Sequence, residues 1–192
     1  MKLLLLFFIT SLFLNAPKVS VEKWIIEKSS NLSIEGRSNV SSFQCDVTEY
    51  LRADTLFFYK DDQQIFTTKG GLTINVNGFD CHQRYLTSDL RKTLKATEYP
   101  LLKIDLLSLG NFTAGDGNQK IKGWVAVQLA HITRKIEVDY TVKAGNGGIL
   151  HLYGSQQVLF SDFGLVPPQK LAGLIKVEQQ INIRFQLILR AI

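Results

Sequence analysis

Cysteine and histidine are the residue types in this sequence that could bind a metal ion, and they are few. The two cysteines are Cys45 and Cys81, and the three histidines are His82, His131 and His151. Zinc sites draw on closely spaced ligands, such as two histidines one turn apart on a helix. Neither a helical pair nor a dense cluster occurs here, and Cys81 and His82 point to opposite faces if the chain is extended there. The sequence therefore predicts no metal site.

Residue patterns that support catalysis are equally sparse. Asp80 stands close to His82, but such a pair is common by chance and no Gly-x-Ser-x-Gly motif accompanies it. No glycine-rich loop precedes a helix in the manner of a phosphate-binding loop. We therefore predict a protein that is not an enzyme and that has no cofactor.

The first sixteen residues have the pattern of a secretory signal peptide. Lys2 precedes an apolar run from Leu3 to Leu14, and Ala16 is a suitable last residue of the leader. The run is shorter than the about 20 residues of a membrane-spanning helix, and a retained anchor is the alternative. We predict a signal peptide over residues 1–16, one domain over residues 17–192, and a periplasmic or secreted location.

The two cysteines have a second use in an exported protein. An even number of cysteines permits a disulfide in an oxidising compartment. A bond between Cys45 and Cys81 would close a long loop, worth about 3–4 kcal/mol in the chain-entropy description. The alternative is two separate buried thiols; of the two, we predict the bond.

The charge pattern argues against a nucleic-acid partner. The formal net charge is +5 at pH 7. Basic residues are spread along the chain apart from one cluster at Arg91, Lys92 and Lys95, whereas nucleic-acid-binding proteins more often carry a dense basic stripe. The charge permits a transient contact with an anionic membrane surface. Arg84, Arg91 and Lys92 either meet an anionic headgroup or form the solvated face of a helix.

Two long segments alternate apolar and polar residues. Val177–Leu189 is apolar at every second position apart from Gln179, and Ile132–Lys143 largely repeats the pattern. Successive side chains of a strand point to opposite faces, so each segment is a strand with one buried face and one wet face. Long one-sided strands are typical of antiparallel sheets, and closure into a barrel removes exposed edges. A barrel of about eight strands can hold one small ligand.

One short helix interrupts the predicted strands. Leu86, Leu90 and Leu94 recur at one-turn spacing and line one side of it. Thr87 and the serine after it are N-cap candidates for a helix over Asp89–Ala96. The sequence predicts an all-β fold, a single antiparallel β-barrel of about eight strands with one short helix inserted in mid-chain. The remaining predicted strands are Trp24–Glu27, Leu32–Gly36, Val40–Val47, Leu56–Tyr59, Gln64–Thr67, Leu72–Val76, Leu101–Leu109, Ile121–Leu129 and Ile149–Phe160.

Several segments in a fixed order resemble the YceI-like family. Phe79–Pro100, which contains the helix and a Tyr-Pro pair, is similar to a central signature of that family, and the strand Leu102–Leu106 follows it. Ser161–Leu165 resembles its late Asp-Phe-Gly loop, and Trp24–Ile26 with Ser33–Val40 resembles its opening strands. Two cysteines, and an opening strand without the Asp and His frequent in the family, mark a divergent member.

The resemblance implies a lipocalin-like barrel, and some members of the family bind a polyisoprenoid chain in the lumen. We expect an exported, non-enzymatic protein that sequesters or carries an apolar ligand, an isoprenoid or another lipid. The alternative is a filled barrel that acts through its surface as an interaction or structural module. The helix and the loop Ser161–Gly173 are candidate lids. Candidate lining residues are Ile34, Phe43, Leu106, Val125, Val127, Ile136, Val138, Tyr140, Leu152, Ile183, Phe185 and Leu187.

Overall fold

The part of the chain that the structure describes contains thirteen strands and one α-helix. The computed structural model describes residues 20–47, 54–60, 66–113 and 117–192, so the predicted signal peptide at 1–16 lies outside the described residues. The helix, α1, spans Arg84–Thr93. The strands are β1 Ser20–Ile26, β2 Asn31–Ser38, β3 Ser42–Val47, β4 Thr55–Lys60, β5 Phe66–Lys69, β6 Gly71–Asn75, β7 Phe79–Asp80, β8 Leu101–Leu109, β9 Asn118–Leu129, β10 Ile132–Ala144, β11 Ile149–Leu159, β12 Gln169–Lys170 and β13 Ile175–Ala191.

Eight strands close into an antiparallel ring. Around the ring the hydrogen-bonded neighbours are β1, β4, β5, β8, β9, β10, β11 and β13, and β13 then pairs with β1. The ring closes where Trp24 pairs with Ala191 and Ile26 pairs with Leu189. Closure pairs the strand edges that an open sheet would expose. The predicted antiparallel barrel of about eight strands with one short helix is confirmed.

Strand β13 also carries a sheet extension outside the ring. Its last residues pair with β1, whereas its first part pairs with β2, and β3 and β7 follow beyond β2. The register between β13 and β2 shifts between Val177 and Ile181. Gln179 lies in this bulge and is exposed, so the inward orientation that strict alternation predicts for it is wrong.

Strands β5 and β6 together form one side of the ring, with a sharp bend between them at Gly70. Gly70 has a φ of +108°, a conformation that only glycine adopts without strain. Both strands pair with β8, β5 through Phe66 and β6 through Gly71. A Cβ at Gly71 would overlap the carbonyl oxygen of Ile104, so the close approach of β6 to β8 requires this second glycine.

Helix α1 begins earlier than the sequence predicted. It spans Arg84–Thr93 rather than Asp89–Ala96, and Thr87 lies inside it instead of capping it. The Thr87 hydroxyl is buried, donates to Asp80 Oδ1 at 3.1 Å and accepts the Cys81 N–H at 2.9 Å. A hydroxyl that suits an N-cap also suits a tertiary hydrogen bond, and sequence spacing cannot separate the two uses.

Candidate ligand cavity inside the barrel

Inward side chains of the ring, of β2 and of the segments at one end of the barrel line an apolar cavity of about 100 Å³. The cavity is elongated, since its walls include Ile26 and Leu56 toward one end of the barrel and Phe160 and Leu165 toward the other. We call the end near Leu56 the lower end and the end near α1 the upper end. An apolar wall of this kind favours a ligand that gains by leaving water.

The cavity opens between two packed clusters of core side chains. The upper cluster includes Leu94 and the lower cluster includes Leu109. Four inward-facing residues contact both clusters, yet they are only half-buried. All four point inward and line the cavity. We call these four residues the waist; they are Ile104, Val127, Ile136 and Phe185.

Aromatic rings close the lower end of the barrel. Trp24 contacts Phe58, Phe58 contacts Phe66, and Phe66 contacts Phe112, with ring centroids 6.0, 6.0 and 5.0 Å apart. Leu109, beside these rings, is fully buried. Ring pairs at such distances add to the stabilisation from burial.

Helix α1 and the 3₁₀ turn Phe160–Phe163 cover the upper end. Leu90 of the helix and Leu94 directly after it line the cavity from one side, and Phe163 and Leu165 line it from the other. All four side chains are buried. The upper end is therefore capped by apolar side chains that belong to the helix and to the loop after β11.

Covalent and polar contacts fasten α1 to the sheet extension. The Sγ atoms of Cys45 and Cys81 are 2.00 Å apart, so a disulfide joins β3 to the segment that precedes the helix. Arg91 Nη2 donates to the carbonyl oxygen of Phe79 at 3.1 Å. Together with the Thr87 hydrogen bonds, these contacts fasten α1 to the sheet at the upper end of the barrel.

Hydrogen bonds within the 3₁₀ turn and from β10 hold the turn in place. Asp162 Oδ2 accepts the Leu159 N–H at 2.8 Å, and the Asp162 carbonyl oxygen accepts from Arg134 Nε at 2.7 Å. Gly164, at a φ of 62°, ends the turn and lets the Leu165 N–H donate to the Phe160 carbonyl oxygen. The predicted Asp-Phe-Gly loop thus directs Leu165 into the cavity wall.

Two side chains bring polar atoms to the described cavity wall, those of Tyr140 and Gln156. Tyr140 is 3% exposed, and its ring meets that of Phe185 edge to face at 5.6 Å. Burial raises the pKa of the Tyr140 phenol well above its usual value, so the group is neutral at physiological pH. Gln156 Nε2 donates to the carbonyl oxygen of Gln157 at 3.2 Å. The described wall therefore carries no charge.

Solved structures share this architecture at low sequence identity. A polyisoprenoid-binding domain from Saccharophagus degradans superposes with a TM-score of 0.64 at 11% identity, over 88% of this chain and 98% of that one. BcnA from Burkholderia cenocepacia gives 0.63 at 16%, over 83% and 95%. The YCEI protein of Campylobacter jejuni gives 0.50 at 18%, over 64% and 71%. No protein-family model and no curated protein sequence matches the chain.

The chain has the YceI-like fold. The low identities make it a divergent example, as predicted. In this YceI-like barrel, ten of the twelve predicted lining residues border the cavity. Their contact with a ligand stays a prediction. The ten are Ile34, Leu106, Val125, Val127, Ile136, Val138, Tyr140, Ile183, Phe185 and Leu187.

Phe43 and Leu152 do not line the cavity of the YceI-like barrel. Phe43 stands on β3, outside the ring, and its ring covers Gly36 on β2. Leu152 points inward but is fully buried in the lower cluster. Alternation identifies the inward face of a strand, but it does not show which strands belong to the ring or at what height the cavity opens.

Sequence reasoning missed the lining that comes from outside the long strands. The leucine spacing in α1 indicated an apolar helix face without showing that Leu90 and Leu94 cover a lumen. Phe163 and Leu165 lie in a loop that has no periodic pattern. Ile104 could have been found, because it alternates with Leu106 on one face of β8.

The three histidines lie apart from one another in the YceI-like structure. In the described ranges, no group of three or more His, Cys, Asp or Glu side chains could hold a metal ion. His82 Nε2 lies 2.8 Å from Asp46 Oδ2 on the surface. His131 and His151 lie elsewhere, beside the rings of Tyr99 and Tyr153.

The basic residues considered for an anionic headgroup lie outside the lumen. Arg84, Arg91 and Lys92 border an open polar groove along α1, together with Asp80 and Glu98. The groove is separate from the apolar cavity. Of the helices that the structure describes, none is long and apolar enough to cross a membrane.

Proposed function

We propose that this protein binds an apolar ligand, an isoprenoid or another lipid, inside its barrel and holds it without chemical change. The half-buried apolar waist carries the proposal, because its inward side chains line an apolar cavity between the two packed clusters. Burial contributes about 25 cal/mol per Å² of apolar surface, or about 0.8 kcal/mol per methylene. A hydrocarbon tail therefore needs no polar anchor. The shared fold with a polyisoprenoid-binding domain supports this ligand class.

A lipid tail requires a wider cavity than the structure contains. The volume of about 100 Å³ is smaller than the roughly 300–1,000 Å³ of typical ligand pockets and than a cavity of about 150 Å³ that holds benzene. Widening must come from rotation of the waist side chains or from displacement of the upper cap. We therefore expect ligand uptake to be slow and to accelerate steeply with temperature.

The small volume also supports a second candidate function. A barrel filled mainly by its own side chains could act through its outer surface as an interaction or structural module. The two functions differ in one measurable property, which is the presence of a lipid in the protein isolated from its cell.

The decisive measurement is native mass spectrometry of the protein purified gently from its own envelope, followed by organic extraction and lipid analysis. A stoichiometric lipid, recovered with its structure unchanged after incubation, would support carriage without chemistry. An apo mass under gentle conditions, with no uptake of added isoprenoid, would favour the surface module. A modified lipid would show that the protein is an enzyme.

A matched pair of variants assigns a bound lipid to the lumen. Ile136→Phe adds volume at the waist, and Ile188→Phe makes the same change on the outer face of β13. We expect the first variant to lose most of the bound lipid and the second to retain it. Equal lipid content in the two folded variants would place the ligand outside the lumen.

We also propose that the protein works in the periplasm or outside the cell. The disulfide between Cys45 and Cys81 supports this location, because such bonds persist in oxidising compartments. Cell fractionation by osmotic shock should release the protein with the envelope contents. Recovery with the cytoplasmic fraction, with two reactive thiols, would contradict the proposal.

A further inference from the structure

The most exposed large apolar side chains of the described residues gather at the upper end of the barrel. Five of them are between 61% and 75% exposed. They come from the β2–β3 turn, from α1 and from the loop between β11 and β13. We call them the apolar tip; they are Val40, Tyr85, Val166, Leu171 and Leu174.

Hydrogen bonds hold the β2–β3 turn against the loop before β13. Asn39 Nδ2 donates to the carbonyl oxygen of Leu174 at 2.8 Å, and Asn39 Oδ1 accepts the Lys176 N–H at 2.9 Å. Val40 follows Asn39 directly. These bonds therefore place Val40 beside Leu174, although the two residues are far apart in sequence.

An ion pair brings the other side of the tip to α1. Lys170 Nζ lies 2.8 Å from Asp89 Oδ1. Asp89 stands one helical turn after Tyr85, so both occupy the same face of α1. Val40, Tyr85 and Lys170 then border a single crevice of about 120 Å³, distinct from the lumen. The crevice therefore brings the β2–β3 turn, α1 and the loop before β13 together at the tip.

The backbone at Leu171 and Ala172 adopts an unfavourable conformation, and the Leu171 side chain is exposed to water there. Leu171 and Ala172 have φ values of 50° and 52°, in the left-handed region that residues with a Cβ avoid. Leu171 is nevertheless 68% exposed. Exposed apolar patches on a folded domain mark interaction surfaces.

Basic side chains lie near the segments that form the apolar tip. Arg84 and Lys92 stand on α1, Arg37 precedes the β2–β3 turn, and Lys176 follows Leu174. Within the described part of the chain, no ion pair involves these four side chains. Apolar side chains with unpaired cations nearby match a bilayer interface, where acyl chains accept the apolar groups and lipid phosphates attract the cations.

We infer that the apolar tip docks the barrel on an anionic phospholipid membrane. In this orientation α1 and the 3₁₀ turn, which cap the cavity, face the lipid, while the aromatic lower end points away. The inference goes beyond ligand binding in the lumen and does not require it. A barrel that carries no lipid would still bind vesicles through its tip.

Vesicle flotation tests the inference directly. The full mature protein is mixed with vesicles of phosphatidylcholine alone or of equimolar phosphatidylcholine and phosphatidylglycerol. We expect binding to the anionic vesicles that weakens as salt is added, because screening shortens the reach of exposed charges. No binding to either vesicle would overturn the inference and would point to a protein partner for the tip.

Two double variants separate the tip from general surface hydrophobicity. Leu171→Ser with Leu174→Ser removes apolar groups from the tip. Val21→Ser with Ile192→Ser removes two that are 54% and 56% exposed at the lower end. We expect the tip variant to lose at least about tenfold in partitioning and the control to keep it. Equal partitioning of the two variants would overturn the inference.

The charge contribution has its own test. Lys92→Glu with Lys176→Glu reverses two cations at the tip. We expect it to lower partitioning onto the anionic vesicles by at least about tenfold, with little effect on phosphatidylcholine vesicles. Unchanged binding to the anionic vesicles would contradict an electrostatic role. The Ile136→Phe variant distinguishes failure of membrane docking from failure of ligand binding in the lumen, because it blocks the lumen and leaves the tip intact.

Discussion

The pairing of Gly154 with Phe185 across β11 and β13 gives a sharp test of how the lumen is built. A Cβ at Gly154 would lie within 2.9 Å of three carbons of the Phe185 ring, well inside the about 3.5–4.0 Å of a favourable carbon contact. Phe185 belongs to the waist. Gly154→Ala should therefore drive the ring into the cavity and reduce the space for a ligand.

The expected loss of stability is modest, because the ring has somewhere to move. Overpacking a filled core costs about 1–3 kcal/mol, and alanine recovers about 0.5–1 kcal/mol of the conformational entropy that glycine loses on folding. The cavity of about 100 Å³ favours the low end of that range. We predict that Gly154→Ala lowers the free energy of unfolding by about 1 kcal/mol, or roughly 2–4 °C in Tm.

The assay combines urea unfolding with the amount of lipid bound per protein. Gly36→Ala is a matched control, since its Cβ would lie within 3.0 Å of three carbons of the Phe43 ring, outside the lumen. Both variants should lose stability, and only Gly154→Ala should lose ligand. Adding Phe185→Leu should restore the stability of Gly154→Ala. The reasoning fails if Gly154→Ala is as stable as wild type, or if both glycine variants lose the same amount of ligand.

Three further predictions concern covalent and titrating groups. Cys45→Ser with Cys81→Ser should lower the free energy of unfolding by about 3–4 kcal/mol in urea, and unreduced, denatured wild type should show no reactive thiol. Because burial raises the pKa of Tyr140, its contribution to folding stability should be present below the ordinary pKa of 10.0 and be lost at higher pH. Tyr140→Phe should reduce this loss of stability at alkaline pH. The His82 N–H and the Thr87 hydroxyl lower the pKa of Asp80. Their contribution to folding stability should therefore be present above the ordinary pKa of 3.8 and be lost as the pH falls below it. In a pH series of melting temperatures, Asp80→Asn should remove this loss of stability in acid.

Local patterns predicted the strands well because the barrel has one dry face and one wet face. The alternation over residues 132–143 and 177–189 follows directly from that asymmetry, and β10 and β13 extend only slightly beyond it. Closure into a ring follows because long antiparallel strands otherwise leave edges exposed. These inferences needed no knowledge of which strands meet.

The remaining features depend on contacts between distant segments. Phe43 alternates like a lining residue and shares the sheet face of Ile34, yet β3 pairs with β2 beyond the ring, so Phe43 packs over Gly36 and does not reach the lumen. Thr87 has the character of a cap, yet it bonds to the strand before the helix. The apolar tip depends on Asn39, which joins two loops separated by most of the chain.

The two candidate functions predict different consequences of filling the cavity for the free energy of unfolding. At about 24 cal/mol per Å³, an unfilled space of about 100 Å³ costs about 2 kcal/mol of folding free energy. A barrel that serves only as a scaffold gains by filling this space, whereas a ligand-binding barrel must keep it. Ile136→Phe places a larger side chain at the waist, and we expect it to raise the free energy of unfolding of the apo protein while it lowers ligand content. A gain in stability with no functional loss would favour the filled module. A loss of stability would mean that the waist is already packed, and the argument for a lumen would lose its physical basis.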